Sequence, residues 1–129
     1  MIKLKADDAD RILILEMSGM ITEADIERAI ETFQEQYPEV GVHLRGGGER
    51  GGFSVLLDWQ DLNGWEKGAK TLGTVTSRTI GDAVRNLAVV AGPQFAAEQP
   101  RLADMAPRAS VRLFPPEQRE AALAWLRSR

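Results

Sequence analysis

The sequence lacks cysteine, and it has a single histidine, His43. The absence of cysteine excludes disulfides, thiolate nucleophiles and metal sites with thiolate ligands. One histidine also excludes a metal site built from several histidines of the same chain. No apolar run approaches the roughly 20 residues of a membrane-spanning helix, and the opening MIKLKADDAD does not resemble a signal peptide. We therefore expect a protein of the cytoplasm with no transmembrane segment.

An excess of basic residues is also missing. The chain has 16 lysines and arginines against 19 aspartates and glutamates, with a formal net charge of −3. Because nucleic-acid binding depends on a basic surface, we do not expect nucleic acid as a partner. The chain has 129 residues, 43% of them hydrophobic, which is enough for one domain with a core. We predict a single domain over residues 1–129.

Apolar segments alternate with helical patterns along most of the chain. The patterns predict strands at residues 2–6, 11–17, 53–59, 86–91 and 110–114, and a turn at residues 60–64. They predict helices at residues 22–37, 65–78, 95–105 and 116–127, with Thr22 as the N-cap of the first. The order ββαβαβαβα predicts an α/β domain. Its sheet is mostly parallel and five-stranded, with an antiparallel N-terminal strand.

Two stretches of the chain match a known pattern of strands and helices. In LEMSGMITEADIERA, a strand is followed by Gly19, the aliphatic Ile21 and the capping residue Thr22. The ending SVRLFPPEQREAALAWL has a strand, an aromatic residue, an acidic turn and a helix with Trp-Leu. Together with NLAVVAG, these stretches resemble the SpoIIAA-like family of STAS-like proteins over nearly the whole chain. The resemblance implies an open sheet shared with STAS and Sec14-type lipid-binding domains, and binding rather than catalysis.

The chain departs from the STAS pattern at one position that matters for regulation. STAS regulators of the anti-sigma-antagonist kind carry a phosphorylatable serine in a stretch like Asp-Ser-Ser-Gly. The corresponding stretch here is Asp61-Leu62-Asn63-Gly64. Because Leu62 and Asn63 have no hydroxyl group, we predict no phosphorylation site there.

A glycine-rich stretch precedes the third predicted strand. Gly46, Gly48 and Gly51 match G-x-G-x-x-G, the fingerprint of dinucleotide binding. That fingerprint follows a strand and opens a helix, whereas this stretch follows a helix and precedes a strand. We therefore interpret it as a flexible connection and predict no cofactor. The alternative is an anion-binding or ligand-binding loop with three candidate residues: His43, Arg45 and Arg50.

Carboxylates and aromatic residues gather where the third predicted strand ends. Ligands often bind at the carboxyl ends of parallel strands, and Asp58 and Asp61 lie at such an end. We favour ordinary strand-end and capping roles for them, and the alternative is a cation site or acid–base pair. Trp59 and Trp65 flank the same strand end. With Phe114 they either belong to the core or line an apolar pocket.

No complete set of catalytic residues emerges from the sequence. We predict a non-enzymatic module, without cofactor or metal, that binds a partner protein or a small lipid-like ligand at the carboxyl ends of strands three to five. The candidate binding residues are Asp58, Trp59, Asp61, Trp65 and Phe114. Two alternatives stay open. One is a metal-assisted enzyme that uses Asp58 and Asp61, and the other is a self-associating structural protein, a homo-oligomer joined through strand 110–114 or an uncovered sheet face.

Overall fold

The computed structural model describes residues 1–7, 12–36, 53–69, 84–98, 100, 102 and 109–128. Five strands form one sheet, and they lie side by side in the order of the sequence. The first strand is antiparallel to the second, and all later neighbours are parallel. This confirms the predicted α/β class and the antiparallel N-terminal strand. The strands are β1 (Ile2–Asp7), β2 (Ile12–Ile21), β3 (Phe53–Trp65), β4 (Val84–Val90) and β5 (Ser110–Phe114).

Two α-helices are described over their length. Helix α1 is Glu23–Gln36 and helix α2 is Arg119–Arg127, the latter preceded by a 3₁₀ turn at Pro116–Gln118. A further 3₁₀ helix, Pro93–Glu98, starts two residues before the predicted helix 95–105. Of the predicted helix 65–78, residues 67–69 are helical, and those after 69 lie outside the described residues. None of the described helices is long and apolar enough to cross a membrane.

Strand β3 is longer than predicted. Residues 60–64 were expected to form a turn, but they continue the strand to Trp65. The predicted turn and the predicted helix start at Trp65 are therefore wrong. Pairing with β2 holds them in the sheet, and two register shifts absorb the extra residues of β3. Gly64 has a φ of 144°, which side-chain-bearing residues rarely adopt. The irregular stretch is therefore a bulged strand.

The added length creates a two-stranded projection at the carboxyl end of the sheet. Strand β3 pairs with β4 only as far as Asp58 and Val90. Beyond that level β3 continues beside β2, whose pairing reaches Ile21 and Trp65. We call residues 18–21 and 60–65 together the β2–β3 extension. It lies at the edge where open parallel sheets usually bind their ligands.

The two faces of the sheet have separate cores. On the α1 face, side chains from β2, β3 and β4 pack with Ile26 of α1 and with residues that follow β3 and β4, namely Ala69, Phe95 and Leu102. On the α2 face, a smaller cluster is completed by Ala122, Leu123 and Leu126 of α2. Because side chains alternate along a strand, neighbouring residues of β3 belong to different cores. The strand members of the smaller cluster are Ile12, Leu56, Ala88, Val90 and Phe114.

Helix α1 begins in a reciprocal capping arrangement, which confirms Thr22 as its N-cap. The backbone N–H of Asp25 donates to Oγ1 of Thr22 at 3.1 Å, and the backbone N–H of Thr22 donates to Oδ2 of Asp25 at 3.0 Å. The hydrogen bond from the Thr22 backbone is the main cause that lowers the pKa of Asp25, while partial burial opposes it. The amino group of Met1 lies 3.4 Å from the same oxygen and adds a smaller lowering effect.

We expect Thr22→Ala to lower the free energy of unfolding, measured by urea unfolding, by about 1 kcal/mol, because α1 loses its N-cap acceptor.

The same cap predicts a stability that depends on pH. The ionised Asp25 stabilises the fold above its unfolded pKa of about 3.9, and this contribution is lost as the pH falls through the lower folded pKa. Urea unfolding of the wild type and Asp25→Asn at pH 7 and pH 2.5 checks this. The wild type should be more stable than Asp25→Asn at pH 7, and this difference should be smaller at pH 2.5, whereas a pH-independent difference would contradict the prediction.

Candidate functional site

Three aromatic rings meet on the α1 face at the carboxyl end of β3. The indole of Trp59 is 2% exposed, and its N–H donates to Sδ of Met17 at 3.1 Å. Its ring centroid lies 5.1 Å from that of Trp65 and 5.4 Å from that of Phe95. Trp65 and Phe95 are 6.1 Å apart, and all three pairs pack edge to face. The three rings contact one another inside the domain. Trp59 and Phe95 are buried, whereas Trp65 is half-buried and is the outermost of the three.

Phe114 lies on the opposite face of the sheet. Its ring centroid is 6.0 Å from that of Trp125, and the guanidinium of Arg112 lies 4.9 Å above the ring. The expectation that Phe114 could line one pocket with Trp59 and Trp65 is therefore wrong. The physical reason is strand alternation: the preceding residue, Leu113, packs against the α1-face core, so Phe114 must face α2.

Asp58 is the centre of a polar network on the α2 face. Nε of Arg119 donates to Oδ2 of Asp58 at 2.9 Å. The backbone N–H of Gln60 donates to Oδ1 at 3.1 Å, and its side-chain amide donates to Oδ2 at 3.2 Å. A guanidinium nitrogen of Arg119 also lies 3.5 Å from Oε2 of Glu16, whose Oε1 is 2.9 Å from Nζ of Lys5. Two cations and two carboxylates thus connect β1, β2, β3 and α2.

Asp61 lies on the same face but outside this network. After the first register shift it pairs with Ser18, so both Asp58 and Asp61 are on the α2 face. Asp61 is exposed, whereas Asp58 is 8% exposed and already paired with Arg119. In the described part of the chain, no group of three or more His, Asp or Glu side chains could hold a metal ion.

The β2–β3 extension presents a surface that the sequence analysis did not single out. Met20 precedes the buried Ile21 and is 54% exposed on the α2 face. Its Sδ would lie 3.6 Å from a Cβ placed on Gly64, so the thioether lies across that glycine. Alternation with the buried Ile21 was the signal for the exposure of Met20, but predicting β2 to end at Met17 hid it.

The positions that correspond to the STAS serine lie in this extension. Leu62 is 4% exposed and belongs to the α1-face core, whereas Asn63 is exposed at the second register shift. The glycine-rich stretch with His43, Arg45 and Arg50 lies outside the described residues. Its role stays a prediction.

Comparison with known proteins assigns the family. A sequence model of the SpoIIAA-like family matches residues 12–127. This chain belongs to the SpoIIAA-like family. The SpoIIAA-like chain also resembles the crystal structure of an uncharacterized protein from the DUF3478 family, with a SpoIIAA-like fold, from Shewanella loihica PV-4. The TM-score is 0.74 at 17% identity, over 98% of this chain and 92% of that chain.

These comparisons confirm the resemblance drawn from the strand and helix motifs. At 17% identity, the structural likeness establishes the fold alone. No curated protein matches this SpoIIAA-like chain.

Proposed function

We propose that this SpoIIAA-like chain is a non-enzymatic binding module that holds a partner protein at the β2–β3 extension. One observation carries the proposal: the large apolar rings at this end contact one another inside the domain, while Met20 is 54% exposed outside it. A small lipid-like ligand would need room between Trp59, Trp65 and Phe95. A partner protein needs only the outer surface, so we favour the partner over the ligand.

The surroundings of Asp58 also favour binding over catalysis. A general acid or base must exchange a proton with a substrate within hydrogen-bond reach. The carboxylate of Asp58 is largely buried and accepts three hydrogen bonds, from Gln60 and Arg119. Asp58 belongs to β3, and its ion pair with Arg119, the first residue of α2, fits a structural role that fixes the helix against the sheet.

Site-specific photo-crosslinking tests the proposed function. A benzophenone amino acid is placed at Asn63, which is exposed in the extension, and in a matched control at Glu31, which is exposed on α1. After irradiation of cells that produce the protein, we expect one dominant crosslinked protein at position 63 and none at position 31. The crosslink should disappear when Met20→Lys is added, and the purified partner should bind the wild type but not Met20→Lys.

Other outcomes assign the other functions. Native mass spectrometry that finds a lipid-sized adduct, with no crosslink at position 63, would overturn the partner proposal in favour of a small ligand. A crosslinked product of twice the chain mass would identify a second copy and the self-associating alternative. Thermal stabilisation by Mg²⁺ that is lost in Asp58→Ala, together with no crosslink, would favour the metal-assisted enzyme.

A further inference from the structure

The sulfur atoms of Met17 and Met20 have very different surroundings, although both residues belong to β2. We propose that Met20 is a site of reversible oxidation: a peroxide converts its thioether to a sulfoxide, and this modification weakens partner binding at the β2–β3 extension. The effect on binding rests on the proposed function, whereas the oxidation itself does not. Methionine sulfoxide is a modification that dedicated reductases reverse.

Methionines carry all of the sulfur in this protein, because the sequence has no cysteine. The four methionines are Met1, Met17, Met20 and Met105, and the last of them lies outside the described residues. Met1 and Met20 are exposed, whereas Met17 is buried. The exposed fraction is 54% for Met20 and 8% for Met17. Access to solvent therefore separates two methionines that are three positions apart in one strand.

Met17 is protected in the α1-face core. Strand alternation directs it to the face opposite Met20, where it packs with Trp59 and other core residues. Its Sδ accepts the indole N–H of Trp59 at 3.1 Å. A peroxide must reach a lone pair of the sulfur, and both the burial and this hydrogen bond restrict that approach. We therefore expect Met17 to react slowly while the domain is folded.

Met20 is open to a peroxide on the α2 face. Its Sδ lies across Gly64, and glycine has no side chain that would cover the sulfur. A lone pair of the sulfur attacks one oxygen of hydrogen peroxide, and the O–O bond breaks. The other oxygen takes both protons and leaves as water. The thioether is thereby oxidised to a sulfoxide and the peroxide is reduced.

The sulfoxide changes the surface of the β2–β3 extension. Among the residues of the extension, all of which the structure describes, Met20 is the exposed large hydrophobic side chain. Oxidation replaces its apolar thioether by a polar, chiral group that forms hydrogen bonds with water. A partner that covers Met20 would have to remove that water, so binding should weaken. Met20 belongs to neither core, so the fold should stay intact.

Mass mapping of the purified full-length protein tests the site of oxidation. After brief treatment with hydrogen peroxide, trypsin releases residues 12–28 as one peptide that contains both Met17 and Met20. Fragment ions assign the added oxygen to one residue or the other. We expect Met20 to be oxidised at least about tenfold faster than Met17 in the folded protein, and at a similar rate in concentrated urea. Equal rates in the folded protein overturn the inference.

Binding of the purified partner that position 63 captures tests the regulation. We expect peroxide-treated wild type to bind this partner at least about fivefold more weakly, with an unchanged urea midpoint. Methionine sulfoxide reductases, one for each epimer, should restore binding with dithiothreitol as the reductant. In that step the sulfoxide oxygen leaves as water, and the two thiols of dithiothreitol form a disulfide.

Met20→Leu is the matched control for this measurement. Its binding is compared before and after peroxide treatment, and the treatment should not change it, because leucine has no sulfur. Met1, Met17 and Met105 are present in both proteins, so their oxidation affects both alike. An equal loss of binding in Met20→Leu, or no loss in the wild type, overturns the regulation.

The outcomes separate this inference from the proposed function. If oxidation selects Met20 but partner binding is unchanged, the regulation fails and partner binding at the extension stands. If position 63 gives no crosslink, the proposed function fails and the regulation with it, while the mass map still decides whether Met20 is the oxidised residue. A urea midpoint that falls on oxidation of the wild type, but not of Met20→Leu, would show that the sulfoxide acts through the fold and not through the surface.

Discussion

Replacing Trp59 by alanine is expected to lower the free energy of unfolding by about 3–5 kcal/mol. The indole is 2% exposed, contacts the rings of Trp65 and Phe95, and donates its N–H to Met17. Alanine would leave a cavity between β3 and the 3₁₀ helix and remove two edge-to-face contacts. Because a domain is stable by only about 5–15 kcal/mol, this loss should remove a large fraction of the stability of the protein.

Urea unfolding followed by circular dichroism measures this effect. Trp125→Ala is the matched control, since Trp125 is half-buried on the other face and its loss should cost clearly less. Trp59→Phe should recover part of the loss, because phenylalanine keeps much of the apolar volume. A Trp59→Ala variant that stays within about 1 kcal/mol of the wild type would contradict the described packing of the three rings.

Replacing Arg119 by methionine is expected to cost about 2–4 kcal/mol, since it leaves a largely buried carboxylate without its cation. Asp58 would keep its hydrogen bonds from Gln60, and Arg119 is itself 29% exposed, so the cost should stay below that of a fully buried pair. The double variant Asp58→Asn with Arg119→Met should be more stable than Arg119→Met alone.

A double-mutant cycle measures this coupling by urea unfolding. Lys5→Met is the matched control, because Lys5 is 59% exposed and its ion pair with Glu16 should contribute less than about 1 kcal/mol. Strictly additive effects of Asp58→Asn and Arg119→Met would mean that the ion pair does not stabilise the contact between β3 and α2.

The order of elements was predictable because local patterns determine it. The alternation in SVRLF defines β5 at Ser110–Phe114, and the polar Thr22 before an apolar stripe defines the start of α1. The extent of β3 was not predictable in the same way. Residues 60–64 have a turn-like composition, and only their pairing with the neighbouring β2 holds them in the sheet. Tertiary pairing thus overrides local preference at this point.

The candidate site depends on contacts between residues that are far apart in the chain and on the register between strands. A single sequence does not show either. Asp58 and Arg119 are 61 positions apart, and nothing local indicates that the arginine reaches back to that carboxylate. Alternation alone does indicate that Asp58 and Trp59 face opposite sides of the sheet. It does not indicate the face of Phe114, because that requires the register between β4 and β5.

The position of α2 has a consequence for partly folded states of the chain. Between parallel neighbours, the described parts of the connections all pack in the α1-face core, and among the described helices α2 is the one that completes the smaller core. Until α2 docks on the sheet, the apolar side chains of Ile12, Leu56 and Val90 are left uncovered on this face. A folding intermediate that lacks a docked α2 therefore exposes an apolar sheet face, which makes it more prone to aggregation than the native state.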